Sequence, residues 1–203
     1  MNARQKFSVV ILVLGIIMAM VPGQGRRSFK VKPDKLLVSA LDPGNCYSVD
    51  QVAKFLATED STIQIIDLRS PEEFRNASLP GSTNIPYNSL ADKDPSGYLA
   101  GGNIKNIFYS NDDLNSASAL VMAKGFGFNN TFVMTGGMNE WFRTIMNSTF
   151  TGESITAKEN ALYENRTRAK KLFTEMNSLP DSMKTKFLNW KKSSKKKLDG
   201  GCE

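Results

Sequence analysis

The sequence predicts an α/β domain built on a parallel β-sheet with helices on both faces. Short apolar runs at residues 62–68, 104–109 and 131–134 read as strands buried on both sides. Segments of helical composition alternate with these strands over about 100 residues, the pattern of a parallel sheet covered by its crossover helices. A chain of 203 residues with 40% hydrophobic content is long enough for one such core plus extensions.

Taken in order, Ser48 is placed as the N-cap of a short helix carrying Val49, Val52, Ala53, Phe55 and Leu56 at helical spacing. The strand at 62–68 follows, then a helix opened by Ser70-Pro71-Glu72-Glu73, with proline in its first turn and carboxylates at the positive end of its dipole. Leu79-Pro80-Gly81 marks a turn, Asn84-Ile85-Pro86 a brief extended piece, and residues 92–102, rich in Asp, Gly and Pro, a surface loop. The strand at 104–109 runs into Ser110-Asn111-Asp112-Asp113-Leu114-Asn115, after which residues 116–124 have helical composition and Gly125 stops the helix. Thr135-Gly136-Gly137 turns from the strand at 131–134 into a last helix, 138–147.

Outside this core, residues 1–25 have the pattern of a signal peptide or signal anchor. Arg4 and Lys6 precede fifteen uncharged, mostly apolar residues, 7–21, and then Pro22-Gly23-Gln24-Gly25. As a helix, that run reaches only about 22 Å, short of the roughly 30 Å hydrocarbon core, which favours cleavage over a membrane span. An exported or membrane-anchored protein is expected, periplasmic or extracytoplasmic. The linker 26–46 carries Arg26, Arg27, Lys30, Lys32 and Lys35, and positive charge there opposes translocation, so the orientation stays open.

Charge and composition exclude several functions. The chain has no histidine, which removes His-based triads, His-ligated metals and imidazole acid–base catalysis. Residues 1–35 hold seven Lys/Arg against Asp34, and residues 184–203 hold seven Lys against Asp199 and Glu203, so the middle of the chain is net negative although the total is +6. Basic ends around an acidic domain argue against nucleic acid and suit an anionic membrane surface, contacted through the Lys-rich tail.

Four stretches in order resemble the rhodanese-homology family: Asp67-Leu68-Arg69 with Glu72-Glu73-Phe74, Leu79-Pro80-Gly81-Ser82-Thr83-Asn84-Ile85-Pro86, Phe108-Tyr109-Ser110, and Gly136-Gly137-Met138-Asn139-Glu140-Trp141. The resemblance implies a rhodanese-like domain at 47–147. It also implies an active loop of the form C-x-x-G-x-R, whose backbone amides and helix N-terminus cradle a persulfide. Here the cysteine position is Ser110, the glycine Asp113 and the arginine Asn115, and Ser78 stands where the family carries a histidine. A serine forms no persulfide, the loop supplies no base, and Asp112 and Asp113 oppose an anion, so no catalytic residue is expected.

The loop from Ser110 to Asn115 is therefore either a repurposed recognition surface or a loop that merely closes the fold. A cation site at Asp112 and Asp113 is set against two solvated carboxylates, and the latter is preferred, so no metal is expected; nor is a cofactor. Asp67, Arg69, Glu72 and Glu73 read as fold-supporting ion pairs and caps, and Cys46 as a buried structural residue. Residues 148–203 form a helical extension with a basic tail: one helix over 157–177 with Ile155, Leu162, Leu172, Phe173 and Met176 near helical spacing, and another with Asp181 as N-cap carrying Met183, Phe187, Leu188 and Trp190. These helices either pack back on the domain or form an arm for a partner or membrane. Cys202, behind Gly200-Gly201, is a sulfur-carrier candidate or an exposed tail cysteine. The expected function is a catalytically degenerate binding or regulatory module with a protein partner; the alternative is a sulfurtransferase or sulfur carrier using Cys202 or a partner thiol.

Overall fold

Five strands form one sheet: β1 (Cys46–Tyr47), β2 (Ile63–Asp67), β3 (Thr83–Asn84), β4 (Lys105–Tyr109) and β5 (Thr131–Met134), in the spatial order β1-β5-β4-β2-β3. Every neighbouring pair is parallel. The computed structural model describes residues 30–32, 36, 38, 42–90, 95–150 and 156–186.

Strand alternation divides the core into two layers. Ile63, Ile65, Ile107, Tyr109 and Met134 face one side, under α1 (Val49–Ala57) and α4 (Gly137–Trp141). Ile66, Phe108 and Val133 face the other, under α3 (Asp113–Gly125) and the connection that contributes Ile85, Leu90 and Leu99. The register sets Ile65 opposite Ile107 and Ile66 opposite Phe108, so each layer is continuous across the sheet. The expected α/β sheet with helices on both faces is what the chain forms.

Local signals place the helices well at their starts. Ser48 caps α1 in a capping box with Gln51, and Ser70 caps α2 (Pro71–Asn76) in one with Glu73. The start expected at residue 116 is three residues late. Asp112 is the N-cap of α3, its side chain accepting from the Leu114 amide at 3.1 Å, and Asp113 lies in the first turn beside the positive helix end. The expected final helix also divides: α4 stops at Trp141 and a π-turn, Phe142–Met146, continues it.

Other differences concern what is buried. Cys46 is exposed rather than buried, because β1 is a two-residue edge strand and this side chain points away from the core. The expected surface loop at 92–102, of which 95–102 are described, sends Leu99 into the core, held by Gln64 and Asn106 side chains on the backbone of Tyr98 and Ala100.

The C-terminal helix α5 (Ala157–Asn177) packs back on the domain. Its inward face is Ala169, Phe173 and Met176, while Leu162 from the expected stripe is exposed and Leu172 half-buried. Phe173 meets the Trp141 ring at 6.1 Å and the Phe142 ring edge-on at 5.6 Å. Arg166 forms a two-point ion pair with Asp50 of α1, at 2.6 and 2.7 Å. Residues 181–186 are helical, and the Pro180 carbonyl rather than an Asp181 cap accepts the first amides, from Met183 and Lys184 at 2.9 Å. No helix among the described residues is long and apolar enough to cross a membrane; the expected signal at 1–25, together with Phe187, Leu188, Trp190 and Cys202, lies outside them.

Candidate functional site

A cleft of about 330 Å³ opens at the carboxyl ends of β2, β3 and β4, where a parallel α/β sheet ordinarily binds its ligand. The end of β2 supplies Leu68, Arg69 and Ser70, followed by Pro71 and Glu73 of α2. Pro86, Tyr87 and Asn88 follow β3, and Ser110, Asn111, Asp112 and Asn115 follow β4.

Ser110 forms part of the wall and is only 2% exposed. Its hydroxyl donates to the Asp112 carbonyl at 2.7 Å and accepts from the Asp112 amide at 3.3 Å. The oxygen at the position of the family's nucleophile is thus built into a tight turn. Two of the amides that could cradle an anion are also engaged: Asp112 N–H on Ser110, and Leu114 N–H on the Asp112 carboxylate.

The turn is clamped from behind by the Gly136-Gly137 pair. The Met138 and Asn139 amides donate to the carbonyls of Ser110 and Asn111 at 2.9 and 3.1 Å, and the Gly136 amide donates to Asp113 at 2.6 Å. Gly137 has φ +55°, and any Cβ there would overlap the Ser110 carbonyl oxygen. A glycine is needed at this point for both reasons.

Arg69 brings no net positive charge to the cleft. Its guanidinium donates to Asp67 at 2.6 Å and to the Ala77 carbonyl at 2.6 Å, with Tyr109 beneath it at 5.5 Å. Burial alone would lower its pKa, but the Asp67 hydrogen bond and charge hold it above the ordinary value. Burial, reinforced by Asp67, raises the Tyr109 phenol well above its usual range, so it stays neutral, accepting from the Leu79 amide at 3.2 Å. Asp67 and Arg69 are the fold-supporting pair expected, and Glu73 is the expected cap.

The charges left on the lining are Glu73 and Asp112. The Glu73 carboxylate is held below its ordinary value first by the Asn111 side-chain amide, at 2.6 Å, and then by Ser70. This Glu73–Asn111 contact joins α2 to the loop across 38 residues of sequence, and no spacing pattern announces it. Leu114 is 74% exposed at the start of α3. Asn115 is half-buried and lines the cleft, which Cys46 does not. Asn84 supports the site with no local sequence signal: its side-chain amide donates to the Asp67 and Arg69 carbonyls at 3.1 and 2.9 Å, shaping the end of β2. Among the described residues no His/Cys/Asp/Glu group could hold a metal ion.

A parallel sheet of this order, with a cleft between the ends of β2 and β4, defines an α/β domain whose ligand site faces the strand ends. Residues 48–144 match the rhodanese-like domain family, and this part of the chain is a rhodanese-like domain. The thiosulfate:glutathione sulfurtransferase of Saccharomyces cerevisiae is 28% identical over 105 residues, covering 47% of this chain and 76% of the relative. The thiosulfate sulfurtransferase GlpE of Pseudomonas entomophila is 29% identical over 97 residues, covering 48% of this chain and 80% of the relative. A solved structure, the single-domain sulfurtransferase RDL2 of S. cerevisiae, covers 49% of this chain and 89% of its own at 21% identity, with a TM-score of 0.41.

Proposed function

We propose that the rhodanese-like domain is a binding module that has exchanged sulfur chemistry for recognition of a cationic polypeptide segment. The observation that carries this reading is the Ser110 hydroxyl, held between the carbonyl and amide of Asp112 in the wall of an acid-lined cleft. A thiosulfate or persulfide needs free amides and positive charge, whereas this cleft presents Glu73, Asp112 and the amides of Asn88, Asn111 and Asn115. Those groups accept from ammonium or guanidinium donors. Exposed Leu114 beside them gives a polypeptide an apolar contact that a small ion lacks.

The test is calorimetric titration of the full chain with a lysine-rich decapeptide and, separately, with thiosulfate. The peptide binds and thiosulfate gives no heat. In a Glu73→Gln, Asp112→Asn double variant the peptide affinity falls about fivefold, the effect of losing two partly solvated charges. Gln and Asn keep the capping box and the N-cap, so the fold survives the change. Undiminished affinity in the double variant, or heat with thiosulfate, contradicts the reading.

A second reading follows from the sulfurtransferase names of the relatives: sulfur carried on Cys202 or on a partner's thiol. Thiocyanate formation from thiosulfate and cyanide that disappears in Cys202→Ser supports it; no such turnover sets it aside. For location we propose export or membrane anchoring, supported by the apolar run at 7–21, with N-terminal sequencing of the mature protein as its test.

A further inference from the structure

The lining of the cleft discriminates between cations as well as attracting them. We propose that the cleft takes the side chain of a single arginine of a polypeptide partner, the guanidinium lying flat on the Tyr87 ring with its edge on Asp112. This rests on the binding-module reading and names the residue type that the site recognises.

Tyr87 is a fixed plate. It opens the 3-10 turn Tyr87–Ser89 that follows β3. Its amide donates to the Leu68 carbonyl at 2.9 Å, and its own carbonyl accepts from the Leu90 amide at 3.0 Å. The side chain is half-buried, packing against the core layer that contains Ile66, Leu68 and Phe108 while also lining the cleft. Among the described residues no ring or cation sits on it, so the ring meets the cleft without a partner of its own.

The acceptors around it are also specific. The Leu114 amide takes Asp112 Oδ1, and among the described residues nothing donates to Oδ2. The side chains of Asn88 and Asn115, both on the lining, form no hydrogen bond with the described residues either. Glu73 differs: Asn111 donates to one of its oxygens at 2.6 Å, and the Ser70 hydroxyl and amide to the other at 2.7 and 3.0 Å. It adds negative charge rather than an open acceptor. Arg69, the cation on the lining, is neutralised by Asp67.

These groups select by shape. A guanidinium is flat and weakly hydrated, with all its donors in one plane, so it stacks on an aromatic face while its edge meets a carboxylate and amide oxygens. An ammonium is strongly hydrated and points three donors away from one centre, which a ring face and one open carboxylate oxygen serve less well. Pro71 and Pro86 give apolar walls to the methylene stem. At about 330 Å³ the cleft has the size for one side chain, at the small end of the usual range of about 300–1,000 Å³.

The experiment titrates the full chain calorimetrically with the lysine-rich decapeptide and with the same peptide carrying arginine at one central position. The arginine peptide binds about fivefold tighter, the scale of a partly exposed cation–ring contact. Tyr87→Phe keeps that ratio, because the ring suffices, and Tyr87→Leu brings it to about one. In the wild-type chain the Tyr87 ring-proton resonances move with the arginine peptide and much less with the lysine peptide, a readout that needs no variant to fold. N-acetyl-arginine methylamide binds more weakly than the arginine peptide, since it does not reach exposed Leu114.

Equal affinities for the two peptides in the wild-type chain overturn the proposal, as does a ratio that survives Tyr87→Leu or a ring that does not respond to arginine. N-acetyl-arginine methylamide binding as tightly as the arginine peptide overturns it in favour of a small guanidinium compound. If neither peptide binds, the binding-module reading itself falls; if both bind with one affinity, only the arginine assignment falls.

Discussion

Ser110 and Glu73 set the character of the cleft at the scale of single residues. On the proposed reading, Ser110→Cys alone should not reinstate sulfur chemistry, because Asn115 and Asp113 stand where the family's loop has its cationic side chain and glycine, and Asp112 adds a second carboxylate. We expect no thiocyanate above the protein-free rate from that variant. Glu73 gives a pH-dependent contact. Its pKa is lowered in the fold, so what it contributes is fully present above the ordinary value of 4.5 and is lost as the pH falls through the lower folded value. The side-chain amide resonance of Asn111 should therefore titrate with a midpoint below 4.5, and in Glu73→Gln it should not titrate there. A midpoint above 4.5 would show that the contact does not hold the carboxylate.

Among the elements, the junction of β4, α3 and α4 decides the shape of the site. Gly137→Ala should destabilise the protein by at least about 1–3 kcal/mol, the usual cost of a left-handed backbone at a residue with a Cβ, with the overlap on the Ser110 carbonyl in addition. Denaturant unfolding measures it, and an unchanged midpoint would mean the clamp is loose. Elements of this kind are legible in sequence where a local signal exists. Ser48 and Ser70 announce their capping boxes within four residues, and the buried strands announce themselves by apolar runs. The start of α3 lies ahead of the run of helical composition because exposed Asp112 caps the helix and exposed Asp113 accepts from Gly136. That second contact spans 23 residues and leaves no local trace. The exposure of Cys46 has no local signal for a related reason: a two-residue edge strand is defined by its pairing with β5, which composition does not show.

Over the whole molecule, the C-terminal helix completes the domain rather than hanging from it. Phe173 and Ala169 belong to the same buried cluster as Val52, Ile107 and Trp141. Phe173→Ala should cost about 3–5 kcal/mol, the range for emptying an aromatic from a packed core, and should lower the unfolding midpoint in one cooperative step. A separate low-temperature transition would show an independent extension. The spacing over 157–177 predicted this helix, but not which side faces inward, since Arg166 and Asn177 on that side find partners in Asp50 and Ser78 more than 90 residues away. The reading proposed for the cleft makes one claim for the whole molecule: the rhodanese-like domain binds a cationic polypeptide and does not transfer sulfur through its loop. The most direct measurement is steady-state thiocyanate formation from thiosulfate and cyanide by the full chain, with Ser110→Ala and Cys202→Ser alongside. The account predicts no turnover above the protein-free rate in any of the three; turnover abolished by Ser110→Ala would contradict it.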